Sequence, residues 1–138
     1  MEKETIRKIF DFLEKEENRK KPFTYKLTFN EPLTEKDLNI EGGLNLSNSK
    51  ITSIPKDLKV RDVLNLTNSD IETLPEGLEV GHSLWLAGCW GLTSLPKDLK
   101  VGGNLYIYRT KFTEISDDEL VNMIMPNGYI KGEIIGNM

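Results

Sequence analysis

The chain has 138 residues, of which 38% are hydrophobic and 29% are charged, so it can bury one domain core but has no apolar run long enough to span a membrane. Eighteen basic and 22 acidic residues give a net charge of -4, which disfavours extended contact with DNA or RNA because such contacts need a basic surplus. One cysteine and one histidine exclude a disulfide framework and a zinc site built from several thiolates or imidazoles.

The first predicted elements form an N-terminal cap over residues 1–37. Apolar residues recur at helical spacing between Glu2 and Lys20, and apolar and polar residues alternate over 23–29, so the pattern predicts a helix and then a strand. We expect both to shield the core of the segment that follows. The charged start lacks the apolar segment of a signal peptide, which predicts a cytoplasmic protein in a bacterium or a host cell.

Residues 38–115 contain four repeats, which begin at Leu38, Leu58, Leu78 and Leu99. A period near 20 residues is too short for a helical hairpin or a propeller blade, so each repeat is predicted to hold one short strand and a tight return. Stacked repeats then bury a common core, which predicts a solenoid. Six apolar columns recur: Leu38/Leu58/Leu78/Leu99, Ile40/Val60/Val80/Val101, Leu44/Leu64/Leu84/Leu105, Leu46/Leu66/Leu86/Ile107, Ile51/Ile71/Leu92/Phe112 and Ile54/Leu74/Leu95/Ile115.

These repeats resemble the leucine-rich-repeat superfamily, whose strand signature is Leu-x-Leu-x-x-Asn/Cys-x-Leu. They are most similar to the short repeats with a Leu-Pro-x-x-Leu return in bacterial secreted effectors and phage-encoded proteins. The resemblance implies an α/β solenoid with a parallel β-sheet that binds another protein. The matching segments are Leu44–Ser49, Leu64–Ser69, Leu84–Cys89 and Leu105–Thr110, with returns at Ile54-Pro55, Leu74-Pro75 and Leu95-Pro96.

Two departures from the family pattern bear on the shape of the solenoid. The usual leucine three places before the strand is absent, and a branched residue such as Val60 stands four places before it instead. The ladder asparagine is replaced by Ser49, Ser69, Cys89 and Thr110, whose side chains bond turn backbone more weakly than an amide does. We therefore expect a flat, short solenoid.

A C-terminal cap is predicted over residues 116–138. Ser116 followed by Asp117, Asp118 and Glu119 is a capping box that opens a short helix ending near Met125. Capping also explains the acidic cluster without a metal ion. Ile130 and Ile134 then repeat the spacing of the repeat strands and predict a fifth strand. The whole chain, 1–138, is predicted to be one domain.

Candidate binding residues lie on the open sheet face, because alternation sends the leucines of each strand inward and the residues between them outward. Trp85, Tyr106 and Tyr108 should then form one contiguous aromatic patch, with Asn45 and Asn65 as its polar side. One alternative is that these aromatic side chains only stiffen the sheet by stacking across strands, or that the caps fold over them.

Repeat three contains one extra residue within the segment 87–91. Its glycines permit a bulge that would push Trp90 outward at the rim of the patch, although a tryptophan beside glycines can also tuck under a loop.

Catalytic interpretations have little support in the sequence. Cys89 occupies a repeat position where a small, weakly polar side chain suffices, and His82 has no acidic or nucleophilic partner at an identifiable spacing. We therefore predict a non-enzymatic protein interaction module without metal or cofactor. The resemblance implies an inhibitor or adaptor that sterically occupies a partner protein, for example a host defence or regulatory factor. The alternative is a structural component that self-associates into a larger complex.

Overall fold

The computed structural model describes residues 26–27 and 32–136, and the chain divides into two compact units, Met1–Leu33 and Thr34–Met138. Most of the predicted N-terminal cap lies outside the described residues. Lys26 and Leu27 are helical, and the other residues of the strand predicted over 23–29 lie outside the described residues, so the cap stays a prediction. No helix in the described part of the chain is long and apolar enough to cross a bilayer.

Residues 34–136 form a parallel β-solenoid in which each repeat, or coil, contributes one two-residue strand to each of two sheets. Sheet A contains β1 (Asn39–Ile40), β3 (Lys59–Val60), β5 (Glu79–Val80), β7 (Lys100–Val101) and β9 (Tyr129–Ile130). Sheet B contains β2 (Leu44–Asn45), β4 (Leu64–Asn65), β6 (Leu84–Trp85), β8 (Leu105–Tyr106) and β10 (Ile134–Ile135).

The prediction of one strand per repeat is therefore wrong. The branched column represented by Val60 forms a strand of its own, because its side chain points into the core while its two neighbours point outward. A three-residue turn separates that strand from the leucine strand, as in Arg61–Val63 between β3 and β4.

The apolar columns are confirmed as the core, with partial exposure only at Leu38, Ile40 and Ile51 of the first coil and at Ile115. Leu58, Leu64, Leu84 and Leu105 have no exposed surface, and the register places Leu64 between Leu44 and Leu84. Burial of each such leucine contributes about 1.5–3 kcal/mol. The core is thus a stack of equivalent leucines along the solenoid axis.

The predicted fifth strand is confirmed, with Ile130 paired to Val101 and Ile134 paired to Leu105. The predicted helix is confirmed as α1 (Asp117–Ile124), which follows a 3-10 turn at Lys111–Glu114. At its start the hydroxyl of Ser116 accepts a hydrogen bond from the backbone N–H of Glu119 at 3.2 Å.

The turn after each of the first four sheet B strands places one residue in the left-handed region, namely Asn48, Asn68, Gly88 and Arg109, with φ of 58°, 57°, 75° and 52°. Asparagine and glycine tolerate this conformation best. The asparagine that recurs in this column therefore serves the turn.

The next column, Ser49, Ser69, Cys89 and Thr110, lies on the inner side of the turn. The thiol of Cys89 donates to the carbonyl of Leu66 at 3.1 Å, and the hydroxyl of Thr110 donates to the carbonyl of Ile107 at 2.7 Å. Cys89 and Thr110 therefore satisfy turn carbonyls within the core, whereas the Ser69 hydroxyl contacts the Cys89 sulfur and the buried Ser49 hydroxyl has no hydrogen-bond partner among the described residues.

Candidate interaction face

The aromatic cluster, defined as Trp85, Tyr106 and Tyr108, lies on the outer side of sheet B. Trp85 and Tyr106 are direct cross-strand partners, and their rings stack with centroids 3.7 Å apart and planes 6° apart. The ring of Tyr108 is tilted by 42° against that of Tyr106 at 6.1 Å. The predicted contiguity of the three side chains is confirmed, and all three are half-buried.

The orientation of the stacked rings decides what they can offer to a ligand. Because neighbouring strands carry the two rings, their shared normal runs along the solenoid axis, and each ring uses one face against the other. Their edges point away from the sheet, and the second face of Trp85 is directed towards Asn65 on the neighbouring strand. A planar group cannot enter between the rings at this spacing.

Tyr106 is held in place by a chain of hydrogen bonds that the sequence analysis did not identify. The side-chain amide of Asn104 donates to the hydroxyl of Tyr106 at 3.2 Å, and its carbonyl oxygen accepts from the backbone N–H of Glu133 at 2.9 Å. Asn104 thus ties the ring to the last coil. Asn104 could have been identified from the sequence by its position two residues before Tyr106, which places both side chains on the same face of the strand.

Asn45 and Asn65 lie in the same column as Trp85, as predicted. The side-chain oxygen of each accepts from the backbone N–H two residues later, at Ser47 and Thr67, in both cases at 3.0 Å. This local bond fixes the amides and leaves their N–H groups as the donors available to a partner.

Trp90 lies at the extra residue of the third coil and is 57% exposed, so the prediction that the insertion pushes it outward is confirmed. Its backbone N–H donates to the carbonyl of Gly88 at 3.0 Å. The ring contacts of the described aromatic cluster do not include Trp90. The outward orientation of Trp90 is therefore shown, whereas its position at the rim of the aromatic cluster stays a prediction.

Charge is distributed differently on the two sheets. In the first four coils, the sheet B segments 43–47, 63–67, 83–87 and 104–108 contain no charged residue, although 29% of the chain is charged. Each coil of sheet A carries at least one charge beside its strand, such as Lys59 or Glu79. The outer face of sheet B is thus uncharged over its first four coils, with aromatic residues on the third and fourth, and the fifth coil adds the exposed Glu133 beside β10.

Cys89 is buried, and its burial raises the pKa of the thiol, an effect partly offset by hydrogen bonding with Ser69, whose hydroxyl oxygen lies 3.7 Å from the sulfur. Asp117 and Glu119 lie in the first turn of α1, where their charge complements the helix dipole. Among the described residues, no group of three or more histidine, cysteine, aspartate or glutamate side chains is arranged to hold a metal ion.

No family model, curated protein or solved structure matches the chain significantly. The described residues define the class as a parallel β-solenoid with an aromatic cluster on one sheet face.

Proposed function

We propose that the protein is a non-enzymatic binding module of the leucine-rich-repeat type that occupies another protein with the outer face of sheet B. The observation that carries this proposal is the stacked aromatic cluster on a sheet face whose first four coils contain no charged residue. The centres of protein interfaces are depleted in charge and enriched in tryptophan and tyrosine.

The side chains of the cluster are also held by contacts within the chain itself. Stacking holds Trp85 against Tyr106, and Asn104 holds the hydroxyl of Tyr106. Side chains that are already ordered lose less conformational entropy on binding, so their contacts contribute more to affinity.

The ring edges indicate how a partner engages this surface. Because the stacked faces are occupied, the partner meets the edges of Trp85 and Tyr106, including the indole N–H and the phenolic hydroxyl. The fixed amides of Asn45 and Asn65 add donors on the earlier coils. This combination suits a protein surface with backbone or side-chain carbonyl groups around an apolar centre.

The proposal is tested by capturing proteins from a bacterial lysate on immobilised chain, with three baits compared side by side. They are the unaltered chain, a Trp85→Ala/Tyr106→Ala variant and a Lys97→Ala control. Lys97 is exposed in the return segment between the third and fourth coils. Quantitative mass spectrometry identifies proteins enriched on each bait.

A protein enriched on the unaltered chain and on the control, but lost from the aromatic variant, supports the proposal. With that protein purified, each single aromatic substitution should weaken binding by about 2 kcal/mol or more, which is about 30-fold. Equal capture by the aromatic variant, or loss of capture by Lys97→Ala alone, would place the functional surface elsewhere.

A second candidate function is self-association into a larger assembly. Strands β9 and β10 are edge strands of their sheets, and Tyr129 is 41% exposed there. Exposed strand edges pair readily with other chains. Size-exclusion chromatography with light scattering distinguishes the candidates, since an obligate assembler would form oligomers at micromolar concentration.

A further inference from the structure

The outer side of sheet A forms a second surface, unlike the aromatic cluster. A shallow groove of about 480 Å³ runs along it across successive coils. Gly81 and Gly102 lie on adjacent coils within its lining, where they contribute no side chain. Arg61 lies on the coil before this glycine pair, and Lys131 lies on the coil after it.

Only some of the charged side chains along the groove form salt bridges. Lys100 binds Glu79 at 3.4 Å, which leaves both charges compensated. Lys59, Arg61 and Lys131 are exposed, and none of them forms a salt bridge within residues 32–136. The groove lining therefore contains three cations without a salt bridge among the described residues and one such carboxylate, Glu41, in a chain whose net charge is -4.

The distance between the cations determines how far apart the anionic groups of a ligand must be. Equivalent backbone bonds along the coils, from the N–H groups of Arg61, Gly81, Gly102 and Lys131, place Arg61 and Lys131 three strand spacings apart. With parallel strands about 4.8 Å apart, this separation is about 14 Å. In an extended peptide, residues four positions apart are separated by about 13 Å.

From this arrangement we infer that the groove of sheet A binds an extended acidic peptide segment. Carboxylates four residues apart pair with Arg61 and Lys131, and the intervening backbone lies over Gly81 and Gly102. Glycine at both positions is already required by the stacking of the coils, because a Cβ at Gly81 or Gly102 would meet the backbone carbonyl of the preceding coil. The same lack of side chains leaves the surface between the two cations open to that backbone. Tyr129, whose ring lies 5.2 Å from the Lys131 ammonium, flanks one end of the segment.

Charge spacing favours a peptide over a nucleic acid strand. A continuous phosphate backbone would place negative charge beside Glu41 and Glu79, both of which line the groove. Two carboxylates separated by neutral residues experience less of this repulsion, because only the one at Arg61 lies beside Glu41 on the neighbouring coil. The groove lies on sheet A and the aromatic cluster on sheet B, so the inference is independent of the proposed function.

The test uses NMR spectra of the ¹⁵N-labelled full chain and three probes. The first is the peptide Gly-Ser-Glu-Gly-Ser-Gly-Glu-Ser-Gly, with acidic residues four apart. The second, Gly-Ser-Gly-Glu-Glu-Gly-Ser-Ser-Gly, has the same composition with adjacent acidic residues. The third is a single-stranded oligothymidylate. The variants are Arg61→Ala, Lys131→Ala and, as a matched control, Lys50→Ala, which removes an exposed cation on a return segment.

We expect the spaced peptide to shift the amide signals of Gly81 and Gly102 and to bind several-fold more tightly than the adjacent-acid peptide. Loss of either groove cation should weaken binding about three- to tenfold, with the larger effect at low salt. Lys50→Ala and Trp85→Ala should leave binding unchanged. Dispersed spectra verify that each variant is folded.

Three results would overturn the inference. The first is an absence of shifts at the two glycines, and the second is equal affinity for both peptides. The third is tighter binding of the oligothymidylate at the same groove, which would assign the surface to nucleic acid. None of these results would count against the proposed function, because the aromatic cluster lies on sheet B and the groove lies on sheet A.

Discussion

The stacking of Trp85 on Tyr106 predicts a measurable coupling between the two side chains in the stability of the fold. An aromatic pair contributes about 0.5–1.5 kcal/mol beyond the area it buries. The 3.7 Å centroid distance and 6° plane angle leave little lateral offset, which is electrostatically less favourable than an offset stack. We therefore expect a coupling energy of about 0.5–1 kcal/mol.

Each single substitution should lower the free energy of unfolding by more than the coupling energy. Trp85 is half-buried, so Trp85→Ala removes about half of the 150–250 Å² that an aromatic side chain buries, or at most about 2–3 kcal/mol. A domain with a stability of about 5–15 kcal/mol remains folded after that loss.

The assay is urea unfolding followed by far-ultraviolet circular dichroism, because removing a tryptophan would distort a fluorescence signal. Trp85→Ala, Tyr106→Ala and the double variant give the coupling energy as a double-mutant cycle. A second cycle between Trp85 and Tyr129, which lies on the other sheet, serves as the control and should be additive. A Trp85–Tyr106 coupling within about 0.3 kcal/mol of zero would refute the stack.

Three further predictions concern the turns and the C-terminal helix. Gly88→Ala should cost about 1–2 kcal/mol in unfolding free energy because its φ of 75° is left-handed, whereas Gly88→Asn should cost less, since Asn48 adopts the same region in the first coil. Burial raises the pKa of the Cys89 thiol in the folded protein. The contribution of this protonated thiol to the free energy of unfolding is therefore complete below the unfolded thiol's pKa of about 8.5, and it is lost as the pH rises towards the pKa of the folded protein. Stability measured from pH 7 to 10 should therefore fall more steeply than in Cys89→Ser, and equal slopes would contradict this. Ser116→Ala should cost about 1 kcal/mol and Ser116→Asp much less in the same unfolding assay, because only alanine removes the acceptor for the Glu119 N–H; equal losses would exclude capping.

The core and the fifth strand were predictable from sequence for a simple physical reason. Every coil must fill the same interior, so Leu64, Leu84 and Leu105 recur at equivalent positions and Ile134 continues the column. Alternation about those leucines also placed Trp85 and Tyr106 on one outer face.

The second sheet could not be predicted in the same way. A two-residue strand such as Lys59–Val60 is too short to show a period, and only its stacking on equivalent strands makes it a sheet. The groove between Arg61 and Lys131 depends on that stacking, because the two residues are far apart in sequence. The orientation of the rings in the aromatic cluster likewise depends on tertiary contacts, so it cannot be predicted from the spacing of the aromatic residues in the sequence.

The fourth return segment, residues 110–127, contains both the 3-10 turn and α1, yet the strands beyond it resume the register of both sheets. The two strands therefore define a coil, whereas the return can change in length and secondary structure without disturbing them. Gene duplication could lengthen such a protein by whole coils, and insertions in the returns could diversify it independently. Returns are consequently the natural places to graft a loop or reporter peptide.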